Sequence, residues 1–87
     1  MQLLIRHKTT DPAAWRRFLD DDRENQGKAG LSMLQLWTDA GDPNTFWALF
    51  EVSDRDEAQP WVDAMQGGLY DDRAGITGAD YHFLNTA

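Results

Sequence analysis

The chain has 87 residues, 41% of them hydrophobic, with four Trp, four Phe, no Cys and a net charge of −7. That length suits one domain, 1–87, that buries about 60% of its unfolded surface or slightly more, and the apolar content excludes a disordered chain. Without Cys there is neither disulfide nor thiolate chemistry. The eight Lys and Arg form no stripe against fifteen Asp and Glu, so a phosphate backbone is repelled and no nucleic-acid partner is expected. No apolar run follows Met1 as in a signal peptide and none could span a bilayer, so a cytoplasmic location without a membrane partner is expected. The acidic stretches at 20–24, 54–57 and 70–72 read as solvated surface.

The first predicted element is a strand over 2–9, where Leu3, Leu4 and Ile5 run into Arg6, His7 and Lys8. Thr10 or Asp11 then offers an N-cap and Pro12 a first helical residue. Trp15, Phe18 and Leu19 follow at i, i+3 and i+4, giving a helix with a narrow apolar stripe that should stop near Gly27 or Gly30. Residues 31–37 and 45–52 predict two strands, joined by a longer loop over 38–44 with Asp, Gly and Pro-Asn turn chemistry. Ser53 with Asp56 three residues later predicts the cap of a second helix carrying Ala58, Trp61, Val62 and Met65. Pro60 lies too deep for a first turn there, which predicts a late start near Asp56 or a kink. An irregular or helical segment should end at Gly75, and 79–85 predicts a fourth strand.

Strand, helix, strand, strand, helix, strand, joined by right-handed crossovers, predicts an α+β, ferredoxin-like βαββαβ fold. Its four-stranded antiparallel sheet would carry both helices on one face. Alternation places Leu3, Ile5, His7, Phe46, Phe50, Val52, Tyr81 and Phe83 on one side, the bed for Trp15, Phe18, Trp61 and Met65. Leu4, Arg6, Gln35, Trp37, Trp47, Leu49, Glu51, His82 and Leu84 share the other, with Met33 assigned beside Gln35 and Asp80 beside His82. No element of the sequence remains to cover this second side, a face of about 400 Å², near the size at which an apolar patch marks an interaction site. A second copy closing over it is the expected partner, making a homodimer through the open sheet face. Arg6 would then need an anion, and Glu51 is the expected partner because strands one and three are neighbours.

The stretches Arg6–Trp15 (RHKTTDPAAW), Asp42–Val52 (DPNTFWALFEV) and Tyr81–Leu84 (YHFL) resemble the dimeric α/β-barrel superfamily, in particular cyclase-like relatives of the antibiotic biosynthesis monooxygenases. Those relatives carry an Arg-His-Lys strand, an Asp-Pro-Asn hairpin turn and a Phe-Glu-Trp third strand; Val52 stands here in place of that Trp. The resemblance spans nearly the whole chain, in short motifs whose order and spacing carry it. It implies the ferredoxin-like fold and pairing into a dimeric α/β barrel. For activity it implies a family rather than a reaction, because the superfamily holds quinone-forming and haem-degrading monooxygenases, lactone isomerases and proteins without known activity. The haem-degrading branch places an Asn on the first strand and a Trp and a His on the second helix, of which Trp61 matches the Trp. Arg6 and His7 stand on the strand here, and residues 56–66 hold no His.

Together these readings predict a cofactor-independent enzyme of the monooxygenase or cyclase type, requiring no metal, that acts on a small aromatic or polyketide-like, anionic molecule. Arg6 would orient the ligand and His82 would move a proton, as imidazole does near neutrality. Trp37 and Trp47 would form apolar walls, with Gln35 and Glu51 as polar contacts. The competing expectation is a non-catalytic, stress-associated or structural dimer whose interior these same side chains fill. His7 is expected as a satisfied histidine facing the helices.

Overall fold

The computed structural model describes residues 1–87. Strand β1 (Gln2–Thr9) leads through α1 (Pro12–Asp21) and α2 (Arg23–Lys28) to β2 (Leu31–Asp39) and β3 (Asp42–Val52). The chain then forms α3 (Arg55–Gln66), α4 (Asp71–Ala74) and β4 (Ile76–Leu84). The strands form one antiparallel sheet in the order β2-β3-β1-β4. This is the ferredoxin-like arrangement expected from the sequence.

Alternation along β1 sends Leu3, Ile5, His7 and Thr9 under the helices, each 2% exposed or less. Their neighbours Ala48, Phe50 and Val52 from β3 join Trp15, Phe18, Trp61, Val62 and Met65 in a single core of 16 residues. Burial of a side chain as large as Phe50 or Leu3 contributes about 1.5–3 kcal/mol. Trp15 stacks on Phe46 at 4.4 Å between ring centres, tying the first turn of α1 to the far end of β3.

Several local details differ from the sequence expectation. The expected first helix is two, broken at Asp22, a buried carboxylate that accepts Trp61 Nε1–H at 2.9 Å and the Asn25 side-chain amide at 2.9 Å. Asp11 caps α1 by accepting Ala14 N–H, and Pro12 is its first residue. The run stops at Gly30, whose φ of +72° is left-handed and where a Cβ would collide with Ser53 Oγ. Asp54, not Ser53, caps α3 by accepting Asp56 N–H at 2.8 Å; Ser53 Oγ instead donates to the Gly30 carbonyl. The helix starts at Arg55 and runs through Pro60, which faces solvent. Strands β2 and β3 extend into the expected loop and pair Asp39 with Asp42, leaving only Ala40 and Gly41 at the tip. Strand β4 likewise begins at Ile76 instead of 79, after the left-handed Gly75.

Met33 is also corrected. The β2–β3 register slips between Met33 and Gln35, so Leu34 is an extra residue opposite β3. Met33 therefore pairs with Phe50 on the helix side, while Gln35 and Trp37 stay on the other.

Candidate functional site

The side of the sheet away from the helices is covered by no element of the chain. Register arranges its residues in cross-strand rows. From β2 to β4 one row reads Gln35, Leu49, Leu4, His82, and the next, nearer the β2–β3 hairpin, reads Trp37, Trp47, Arg6, Asp80. Beyond the first row lie Ser32, Glu51, Gln2 and Leu84. Five of the side chains expected at a site, Arg6, Gln35, Trp37, Trp47 and His82, thus occupy two adjacent rows. Glu51 stands two rows from Arg6, at the edge.

That spacing overturns the expected Arg6–Glu51 pair. Arg6 Nε donates to Asp80 Oδ2 at 2.6 Å, directly across β1 and β4. Glu51 accepts instead from Gln2 Nε2 at 3.2 Å and lies 3.7 Å from the chain's amino terminus. The signal for Asp80 was present, since alternation places it on the same side of β4 as His82. Only the register shows that it faces Arg6.

The two indoles differ. Trp47 is half-buried, and its Nε1–H donates to Asp39 Oδ1 at 2.8 Å, which fixes the ring over the sheet. Asp39 in turn accepts Gly41 N–H, and these bonds, that from Trp47 first, hold its carboxyl below the usual range. Asp42, on the other arm of the hairpin, is held low by Asn44 N–H and by the Thr45 hydroxyl. Trp37 lies 43% exposed beside Trp47, and Leu84 is 42% exposed on the other edge. His82, two residues before Leu84 on β4, is exposed as well. The three cavities of the chain are each bordered by a helix, and His82 lines none of them. A chamber on the open face therefore requires an opposite wall from another molecule.

On the covered face, directly behind Arg6, His7 is 1% exposed and satisfied on both nitrogens. Trp15 Nε1–H donates to Nδ1 at 3.0 Å, and Nε2 lies 2.6 Å from the Tyr81 hydroxyl. Burial, then the charge of Arg6, lowers its pKa to about 4, so the ring is neutral at pH 7. Strand alternation alone puts His7 and Tyr81 on this side; their bond follows only from the β1–β4 register.

No protein-family model matches this sequence, and no curated protein matches it. Solved structures do match in shape. A nipsnap family protein with unknown function from Agrobacterium tumefaciens superimposes with a TM-score of 0.65 at 14% identity, over 99% of this chain and 86% of its own. An antibiotic biosynthesis monooxygenase gives 0.57 at 20% identity, over 100% and 99% of the two chains. An uncharacterized NIPSNAP domain protein from Burkholderia xenovorans gives 0.57 at 16%, over 100% and 95%. These likenesses show a shared fold, the ferredoxin-like one that the sequence motifs implied.

Proposed function

We propose that this protein pairs with a second copy across its open sheet face and binds a small, flat, aromatic or anionic molecule in the chamber so formed, acting as a cofactor-independent monooxygenase or cyclase. The observation that carries this reading is the pair of rows containing Trp37, Trp47, Arg6 and His82, left uncovered by the chain's own helices. Two-fold pairing would set each face against its own image and remove the exposed indole from water. Trp37 and Trp47 then supply flat apolar walls, and Gln35 a neutral polar contact; Glu51 lies at the rim. Arg6, aimed by Asp80, presents its free guanidinium N–H groups to an anionic substituent. His82 removes a proton from a phenolic or enolic hydroxyl, raising the electron density of the ring that reacts.

A second reading, a non-catalytic stress-associated or structural dimer with a filled interior, is favoured by two bonds already made. Arg6 is engaged by Asp80 and Trp47 by Asp39, so neither needs a ligand to be satisfied. Sedimentation at micromolar concentration tests the pairing, and a monomer rejects both readings. Native mass spectrometry of protein from its own host then reports a retained ligand. For any substrate found in a screen, His82→Ala and Arg6→Ala should abolish turnover while the dimer persists. Unchanged turnover in both variants rejects the site.

A further inference from the structure

A cavity of about 350 Å³ opens on the helix-covered side of β4, away from the open face, bordered by Met65 and Gln66 of α3, Asp71 of α4 and Ile76, Thr77 and Tyr81 of β4. Hydrogen positions at Tyr81 follow from the bonds it shares with His7 and, through it, with Trp15. Trp15 Nε1–H can only donate, so His7 Nδ1 is an acceptor. The one proton of the neutral ring then sits on Nε2, and at 2.6 Å it is donated to the Tyr81 oxygen. Tyr81's own hydroxyl hydrogen must point elsewhere, and no protein atom takes it, since His7 is its only partner. Burial, and after it the charge of Asp71, keep this phenol protonated well above the usual range. Asp71 itself makes no side-chain hydrogen bond or ion pair. Tyr81 and Asp71, which carry this donor and this acceptor, thus border one cavity together with Met65 and Ile76.

We propose that this cavity is a binding site for a small, neutral primary carboxamide with an apolar body. The carbonyl oxygen of the ligand accepts the Tyr81 O–H, an amide N–H donates to the Asp71 carboxylate, and the apolar body rests on Met65 and Ile76. A carboxylate of the same shape is refused, because it brings a second anion to Asp71 and no donor. Trp15 and His7 are positioning residues: their bonds turn the Tyr81 hydroxyl outward as a donor.

The test titrates the isotope-labelled full chain with benzamide and, separately, with benzoate, following backbone amide shifts. Benzamide should move Asp71 and the amides of 76–81 saturably, with benzoate at least about tenfold weaker. Tyr81→Phe should weaken benzamide by about tenfold. Because that variant also disturbs His7, Asp71→Asn serves as the second: its neutralisation should weaken benzamide and admit benzoate, closing the preference between them. Benzamide leaving those amides unmoved up to its solubility, benzoate binding equally well, or a preference intact in Asp71→Asn would each overturn the site. Shifts confined to Arg6, Trp37, Trp47 and His82 would overturn it while supporting the chamber on the open face.

Discussion

Two neighbouring residues of β1, Arg6 and His7, meet opposite environments. His7 is 1% exposed, neutral, and held by Trp15 and Tyr81 within its own chain. Arg6 keeps its charge on the uncovered face, bonded to Asp80 at 2.6 Å. The contrast shows how one strand serves two purposes. Under the helices a polar group is tolerated only when all its hydrogen bonds are made, because each unmet one is costly there. On the open face, charges and indoles stay solvated and available, so their loss should trouble binding more than folding.

Breaking the covered side should have the largest effect. His7→Leu leaves the Trp15 N–H buried without an acceptor and removes the bond to Tyr81. The expected loss is about 2–4 kcal/mol, on the order of 10–20 °C in a thermal melt followed by circular dichroism. A melt within a few degrees of the parent would show that the pair contributes little and that the two faces are alike.

The pH dependence sharpens the same contrast. His7 titrates at about 4 in the folded protein and near 6.5 when unfolded. Its pKa is lowered on folding, so between those values the unfolded chain binds a proton that the native chain does not. The stabilisation is therefore complete above about pH 6.5 and is lost as the pH falls toward 4. The loss should approach about 3 kcal/mol, measured by urea unfolding at successive pH values. Asp39 and Asp42, both held low, extend the decline further into acid. His7→Gln removes the titrating group and should flatten the upper part of the curve; an unchanged slope would assign it to other residues.

On the open face, Trp37→Lys should behave in the opposite way. The indole is 43% exposed in the lone chain, so unfolding of the monomer should change by about 0.5 kcal/mol or less. If the face pairs with a second copy, an indole buried in the pairing is worth about 2 kcal/mol or more, which raises the dimer dissociation constant at least about thirtyfold in sedimentation. No change in self-association would remove Trp37 from the interface.

Much of this contrast was legible in the sequence, and the failures have definite causes. Period-two alternation in β1 separates Leu3, Ile5 and His7 from Leu4, Arg6 and Lys8 whatever the neighbouring strands do. Met33 went to the wrong side because an extra residue, Leu34, breaks parity, and nothing in its composition announces a bulge. Parity puts Arg6 and Glu51 on one face but cannot say that they stand two rows apart. No hairpin joins β1 to β3 or to β4, so the row that faces Arg6 is set by pairing across the sheet and not by any local turn. The Trp61 Nε1–H that Asp22 accepts at the break comes from a residue 39 positions later, which no local pattern reveals. Likewise His7 and Tyr81 were both placed under the helices, but their bond required the β1–β4 register.

The smallest expected effect separates a charge pair that holds the fold from one that holds a functional group in place. Arg6 and Asp80 are 28% and 49% exposed, so water screens them and their geometry costs side-chain entropy. A double-mutant cycle with Arg6→Gln and Asp80→Asn should give a coupling of about 0.2–1 kcal/mol in urea unfolding under dilute, monomeric conditions. The same cycle repeated at concentrations where the protein self-associates distinguishes the two roles. If the bond becomes buried against a second copy, either single change leaves a charge without its partner in a drier setting, and the coupling should rise several-fold. Equal coupling under both conditions would mean that the Arg6–Asp80 bond stays in water, and the row that carries it would then lie outside any interface.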